Sequence, residues 1–324
     1  MYTKILVPLD GSRLSEAILP HVRTFAKAFR VPVELFQVVD ADDIQIFTDL
    51  GHGRYEDNVE ANLLNRSQDY LEHVADSFPK SSTAQCSAEV GQPAERIIEK
   101  AAAQAGTLVA MATRGHSGLK RWLLGSVAEK VLHGAKNPLL LMRPKEESAV
   151  GQEAPLKRML VPLDGSELAE NVFPHVIAIA NAMTLEVVLL RVWKAPTSAY
   201  IPAEYPLDPE RVMREALREE ARAYLDRKVA ELRERGIRDV SYGVLHGEAA
   251  AEIIDMAQQT PDSLVATCSH GRSGVGRWIL GSVADHVVRY SGDPVLIVRV
   301  FGEREEAATG NGRPSASGHP TPAA

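Results

Sequence analysis

The chain has little with which to staple itself, cross a membrane or attract nucleic acid. Among its 324 residues only Cys86 and Cys268 are cysteines, too few for a disulfide framework. No apolar run reaches the ~18 residues that a membrane span needs, and no apolar signal opens the sequence, so a reduced, cytoplasmic protein is expected. With 36 basic and 43 acidic residues the net charge is -7, which gives no basic field and argues against nucleic acid as a partner. There is no Walker lysine loop, no pyrophosphatase loop and no nucleophile motif, so no enzyme is expected. His116, His133, His270 and His286 do not form a ligand set at metal spacing, and no metal site is predicted.

What the chain does have, it has twice. The run Ile5-Leu6-Val7-Pro8-Leu9-Asp10-Gly11-Ser12 returns 154 residues later as Met159-Leu160-Val161-Pro162-Leu163-Asp164-Gly165-Ser166. A second block, from Gly115 through Gly125-Ser126-Val127-Ala128, returns 156 residues later from Gly271 through Gly281-Ser282-Val283-Ala284. A repeat of this length is a duplicated domain, not a solenoid unit, and 324 residues suits two domains of ~150 each. The division expected is 1–145 and 156–302, with a polar linker at 146–155 and a disordered Gly, Ser, Pro and Ala-rich tail at 303–324.

Within each half apolar runs alternate with helical spacing. In the first, strands are predicted near 4–9, 33–39, 85–90, 107–112 and 139–143, with helices over 15–29, 59–78, 93–104 and 126–134. In the second, strands fall near 158–163, 184–193, 240–245, 263–268 and 295–300, and a charged helix over 210–235 carries Glu and Arg placed for i,i+4 pairing. This order implies an α/β fold, two tandem doubly wound parallel sheets with helices on both faces.

In such sheets ligands sit beyond the carboxyl ends of the strands. Asp10 and Asp164 follow the first strand of each half, and the glycine blocks follow the fourth. Glycines there let backbone N–H groups approach an anion, and Ser126 and Ser282 open helices whose free N–H groups favour phosphate. The alternative for Asp10 and Asp164 is helix capping alone. His21 and His175, in matching Pro-His-Val contexts, read as packing or solvent-facing groups. Cys86 reads as core. Cys268, beside the glycine loop, has a redox-sensitive reading if helix-end N–H groups lower its pKa.

The Val-Pro-Leu-Asp-Gly-Ser start and the Leu-Gly-Ser-Val-Ala end of the second block resemble the universal stress protein family, here in a tandem form that covers nearly the whole chain. The resemblance implies Rossmann-like five-stranded parallel sheets of the adenine nucleotide alpha hydrolase-like type, paired through their last strands. It implies a pseudo-two-fold monomer able to pair again as a homodimer, acting in the stress response through a protein partner. It also implies ATP, with magnesium, at a motif G-x2-G-x9-G-[S/T]. By resemblance, Pro8, Leu9, Asp10, Val38, Met111, Ala112, Gly115, Gly125, Ser126 and Val127 would line the first site. Pro162, Leu163, Asp164, Val192, Thr267, Cys268, Gly271, Gly281, Ser282 and Val283 would line the second.

The first glycine of that motif is replaced by Ala112 and Cys268. If the position needs positive φ, a side chain costs about 1–2 kcal/mol; if it needs close approach, Cys268 would crowd the second site more than Ala112 the first. The alternative function is therefore an interaction module that has lost its nucleotide. The irregular segments 40–54 and 194–208 are candidate lids over the sites.

Overall fold

The computed structural model describes residues 1–42, 44, 56–79, 83–114, 124–144, 153–194, 209–269 and 280–299. The glycine loops at 115–123 and 270–279, most of both candidate lids, most of the linker and the tail lie outside these residues. The first half runs β1 (Lys4–Pro8), α1 (Arg13–Glu16), α2 (Leu19–Phe29), β2 (Val33–Asp40), α3 (Glu56–Ala75), β3 (Ala84–Gly91), α4 (Pro93–Ala102), β4 (Thr107–Ala112), α5 (Ser126–Gly134) and β5 (Leu139–Met142). The second repeats it as β6 (Arg158–Pro162), α6 (Glu167–Glu170), α7 (Phe173–Met183), β7 (Glu186–Trp193), α8 (Pro209–Glu234), β8 (Val240–His246), α9 (Ala249–Gln259), β9 (Ser263–Cys268), α10 (Ser282–Tyr290) and β10 (Val295–Val298).

All ten strands join one sheet in the order β3-β2-β1-β4-β5-β10-β9-β6-β7-β8. Within each half every pairing is parallel. The halves meet through an antiparallel pairing of the last strands, β5 with β10. Leu140 faces Leu296 there, and Leu139 and Leu141 face Ile297 and Val295. Because each partner sits 156 residues from its counterpart, the pseudo-two-fold passes through the Leu140–Leu296 pair.

Two apolar layers enclose the sheet, and both cross the junction. On one face β residues pack against α2, α3, α7 and α8 through side chains such as Phe25, Leu71, Val176 and Leu225. On the other they meet α4, α5, α9 and α10 through Ile97, Val131, Ile253 and Val287. Central strands are buried on both faces, which is why they read as continuous apolar runs rather than alternating ones.

Two elements differ from the sequence reading for local reasons. The helix expected over 15–29 is two helices, α1 and α2, with a turn at Ala17 and Ile18. Pro20 near the start of α2 has no N–H to give and would clash with a preceding turn, so it suits a helix start and not an interior. Thr184, expected to open β7, instead ends α7 in the left-handed region at φ 56°. Its N–H bonds the Ala180 carbonyl, as Arg30 does to Ala26 at the end of α2.

The junction is clasped by arginines that repeat the duplication. Arg143, just past β5, donates to the Arg289 carbonyl at 2.8 Å, while Arg299, just past β10, donates to the carbonyls of Ala135 at 3.0 Å and His133. Arg299 is Arg143 moved by 156 residues, and Arg289 is likewise the counterpart of His133. Each half thus places a guanidinium on the carboxyl end of the other half's last helix, where carbonyls lack partners and the dipole is negative. A second seam joins the start of the first half to α7: Tyr2 Oη lies 2.7 Å from His175 Nδ1. Ala154, at the end of the linker, bonds the Pro20 carbonyl and the Thr24 hydroxyl at 3.1 and 2.8 Å.

Candidate functional site

In each half the strand order reverses beside the first strand, which lies between the second and fourth. The carboxyl ends of β6 and β9 therefore open a crevice at the topological switch. A cavity of about 310 Å³ sits there in the second half. Pro162 reaches it from β6 and Leu163 and Asp164 from the loop after it, Leu190 and Val192 from β7, and Thr267 and Cys268 from β9. Gly281, Ser282 and Val283 reach it from the start of α10. The structure thus brings together every residue expected for the second site except Gly271, which lies outside the described residues. In the first half Pro8, Leu9, Asp10, Val38, Met111, Ala112, Gly125, Ser126 and Val127 occupy the equivalent strand ends and helix start, and Gly115 lies outside the described residues.

The loop after the first strand is built the same way twice. Ser12, not Asp10, caps α1, its Oγ accepting the Ser15 N–H at 3.2 Å; Ser166 accepts the Ala169 N–H at the same distance. Asp10 Oδ1 accepts the Ser12 N–H and hydroxyl at 3.0 and 2.6 Å, and Asp164 Oδ1 does so for Ser166. The aspartates are thus turn-forming residues that hold the capping serine. Gly11 and Gly165, both at φ 81°, supply the left-handed step that lets the loop close. A tyrosine braces each loop from behind: Tyr70 donates to Glu16 and Tyr224 to Glu170, both at 2.9 Å.

The glycine that precedes the last helix serves close approach. At Gly125 φ is -63°, which any residue adopts. Its N–H bonds the Thr113 carbonyl at 2.8 Å, and a Cβ there would stand 3.3 Å from that oxygen. Gly281 makes the same bond to Ser269. Neither glycine caps its helix with a side chain, so the first N–H groups of α5 and α10 have no side-chain acceptor from the cap. That end of α10 borders the cavity and suits an anion.

Ala112 and Cys268 do not carry the strain considered for them. Both lie in strands, and neither is among the residues with positive φ. Cys268 Sγ turns back toward the Ala169 carbonyl at 3.5 Å. Burial raises its pKa to about 12, overriding a backbone N–H from Val172 that lowers it. Desolvation outweighs the nearby donor and favours the neutral thiol, which weighs against the redox-sensitive alternative for Cys268. Cys86, half-buried on β3, is raised as well, by burial and by Glu72 and Asp76.

Sequence reasoning missed the wall formed by α9. Ala249 and Ile253, one helical turn apart, close the cavity opposite β7, with Ala169, Leu190, Ser269 and Ala284 completing it. The i,i+4 spacing of Ala249 and Ile253 at the start of an amphipathic helix was the available signal. Among the described residues no cluster of three His, Cys, Asp or Glu side chains is placed to hold a metal ion. No helix of the described residues is long and apolar enough to cross a membrane.

Comparison with known proteins agrees with this architecture. The family model described as "Universal stress protein family" matches residues 1–143 and again 155–299. A universal stress protein of Mycolicibacterium smegmatis is 28% identical over 303 residues, 91% of this chain and 96% of that protein. One from Methanocaldococcus jannaschii is 34% identical over 151 residues, 45% of this chain and 86% of its own length. Among solved structures, a universal stress protein from Archaeoglobus fulgidus superposes with a TM-score of 0.62 at 21% identity, covering 91% of this chain and 98% of that one. With both halves matched and the sheet topology shared, the chain belongs to the universal stress protein family, as two tandem domains of that family in one polypeptide.

Proposed function

We propose that this universal stress protein is a cytoplasmic adenine nucleotide-binding module that senses its ligand and acts through a protein partner. The observation that carries the reading is the second-half cavity, where apolar walls for a flat base end at an uncapped helix start suited to phosphate. Its volume of about 310 Å³ lies at the lower end of small-ligand sites, enough to enclose the nucleoside and leave the phosphates at the mouth. Leu190, Val192 and Ile253 would flank the base, and Asp164 would accept from ribose hydroxyls. The N–H groups opening α10 would take the phosphates. Magnesium, held chiefly by those phosphates, would neutralise their charge.

In this reading the site binds without turnover. Among the described residues the ionisable side chains lining the cavity are Asp164, engaged in its own turn, and Cys268, whose burial favours the neutral thiol, and neither is placed as a general base. Isothermal titration with ATP, ADP and AMP in magnesium tests the proposal. Saturable micromolar binding, lost in Ser282→Asp, is expected, because that change favours the helix while placing a like charge beside the phosphates. No binding at millimolar ATP would leave the nucleotide-independent interaction module.

A further inference from the structure

The duplication preserved the frame of the two sites but not their linings. Along β2 and β7 side chains alternate between faces, so Phe36, Val38 and Asp40 share the face that Leu190, Val192 and Lys194 share in the second half. At the floor, Phe36 stands where the cavity has Leu190. The ring is fully buried and lies 4.9 Å beneath the Lys100 ammonium, itself tied to Glu34 and Glu89 at 3.3 and 2.7 Å. On β4, across β1 from it, Met111, 6% exposed, stands where the cavity has the shorter Thr267. Opposite them Val127 is drawn into the apolar layer, whereas its counterpart Val283 is left 37% exposed at the cavity rim.

Charge differs in the same direction. Asp40 at the first mouth is replaced by Lys194 at the second, and Gln37 beside Gly11 by Arg191 beside Gly165. Arg191 Nη1 donates to the Leu163 carbonyl at 3.3 Å. Lys194 pairs with Glu248 at the start of the α9 wall, where the first half has an uncharged Gln92. Over these three positions and the shared aspartate, the second mouth is balanced while the first carries two carboxylates, Asp10 and Asp40. A ligand with several negative charges is repelled by the first and not by the second.

We infer that the two halves are unequal: the second half is the working site for an anionic nucleotide, and the first is a filled structural counterpart, so one ligand binds per chain. This rests on the nucleotide reading above and adds to it which half is used and which residues decide it, Thr267 and Lys194 against Met111 and Asp40. The first half binds the same ligand at least about tenfold more weakly, since larger side chains must move and charge opposes entry.

Isothermal titration of the full chain with magnesium ATP reads the stoichiometry directly. One site per chain is expected. Thr267→Met should weaken binding by about tenfold or more, because overpacking a filled cavity costs at least that factor. Lys194→Asp, at an exposed position with no part in the core, should weaken it severalfold. Gln92→Glu, an exposed change that adds a carboxylate at the first mouth, should leave it unchanged. Two equivalent sites, or loss of binding on the first-half change with Thr267→Met silent, would overturn the inequality and leave the nucleotide reading intact. No binding by the unaltered chain would overturn the nucleotide reading itself, and the inequality with it.

Discussion

His175 gives the seam between the halves a pH dependence whose size follows from its surroundings. It packs against the Tyr2 ring with centroids 5.6 Å apart, and its Nδ1 meets the Tyr2 hydroxyl at 2.7 Å. Burial lowers its pKa from 6.5 to about 4, because the charged ring loses water and gains no carboxylate in return. The unfolded chain therefore takes up a proton near pH 6.5 that the folded chain refuses until about pH 4. Stability from this group is complete above 6.5, declines as the pH falls, and is gone below about 4. A displacement from 6.5 to about 4 corresponds to about 3 kcal/mol at 1.36 kcal/mol per pH unit, reduced to about 2 kcal/mol because the ring is only partly buried. Urea unfolding of the parent and of His175→Phe at pH 7.5 and pH 4.5 isolates the effect. The parent should lose about 2 kcal/mol more than the variant on acidification. An equal loss in both, or a His175 proton resonance titrating near 6.5, would refute the reasoning.

Two further outcomes follow from other groups. At pH 8 about one Cys268 thiol in ten thousand is ionised if its pKa is near 12, so Ellman's reagent should modify it in the native protein only as fast as the fold opens; labelling of Cys268 at the rate of a free thiol would contradict its burial. Arg299→Ala removes charge-assisted bonds to the end of α5 and Arg143→Ala removes one to the end of α10, and each should cost about 1.5–3 kcal/mol in urea unfolding; near-zero losses from both would mean that the arginine clasp does not hold the halves.

The architecture was legible because the strands carry their message locally. Continuous apolar runs at β1, β4, β6 and β9 mark strands buried on both faces, and the repeat doubles every such signal. The lining of the second-half cavity was legible where the resemblance supplied positions on strand ends, such as Leu163, Val192 and Thr267. It was not legible where a role depends on distant partners. The arginine clasp joins side chains to carbonyls 146 and 166 residues away, and carbonyl groups leave no trace in residue type. The protonation state of Cys268 was not legible for the same reason, since proximity to a helix end in sequence says nothing of how deeply the sulfur is desolvated. Ser12 rather than Asp10 takes the cap because one left-handed glycine lies between them, and that step turns the aspartate back onto the serine.

The most direct test of the account is a crystal structure of the full chain grown with magnesium ATP. The account predicts density for one nucleotide, its base between Val192 and Ile253, its ribose near Asp164 and its phosphates at the N–H groups that open α10. Nucleotide density in the first half alone, or none in either half at saturating ATP, would contradict it.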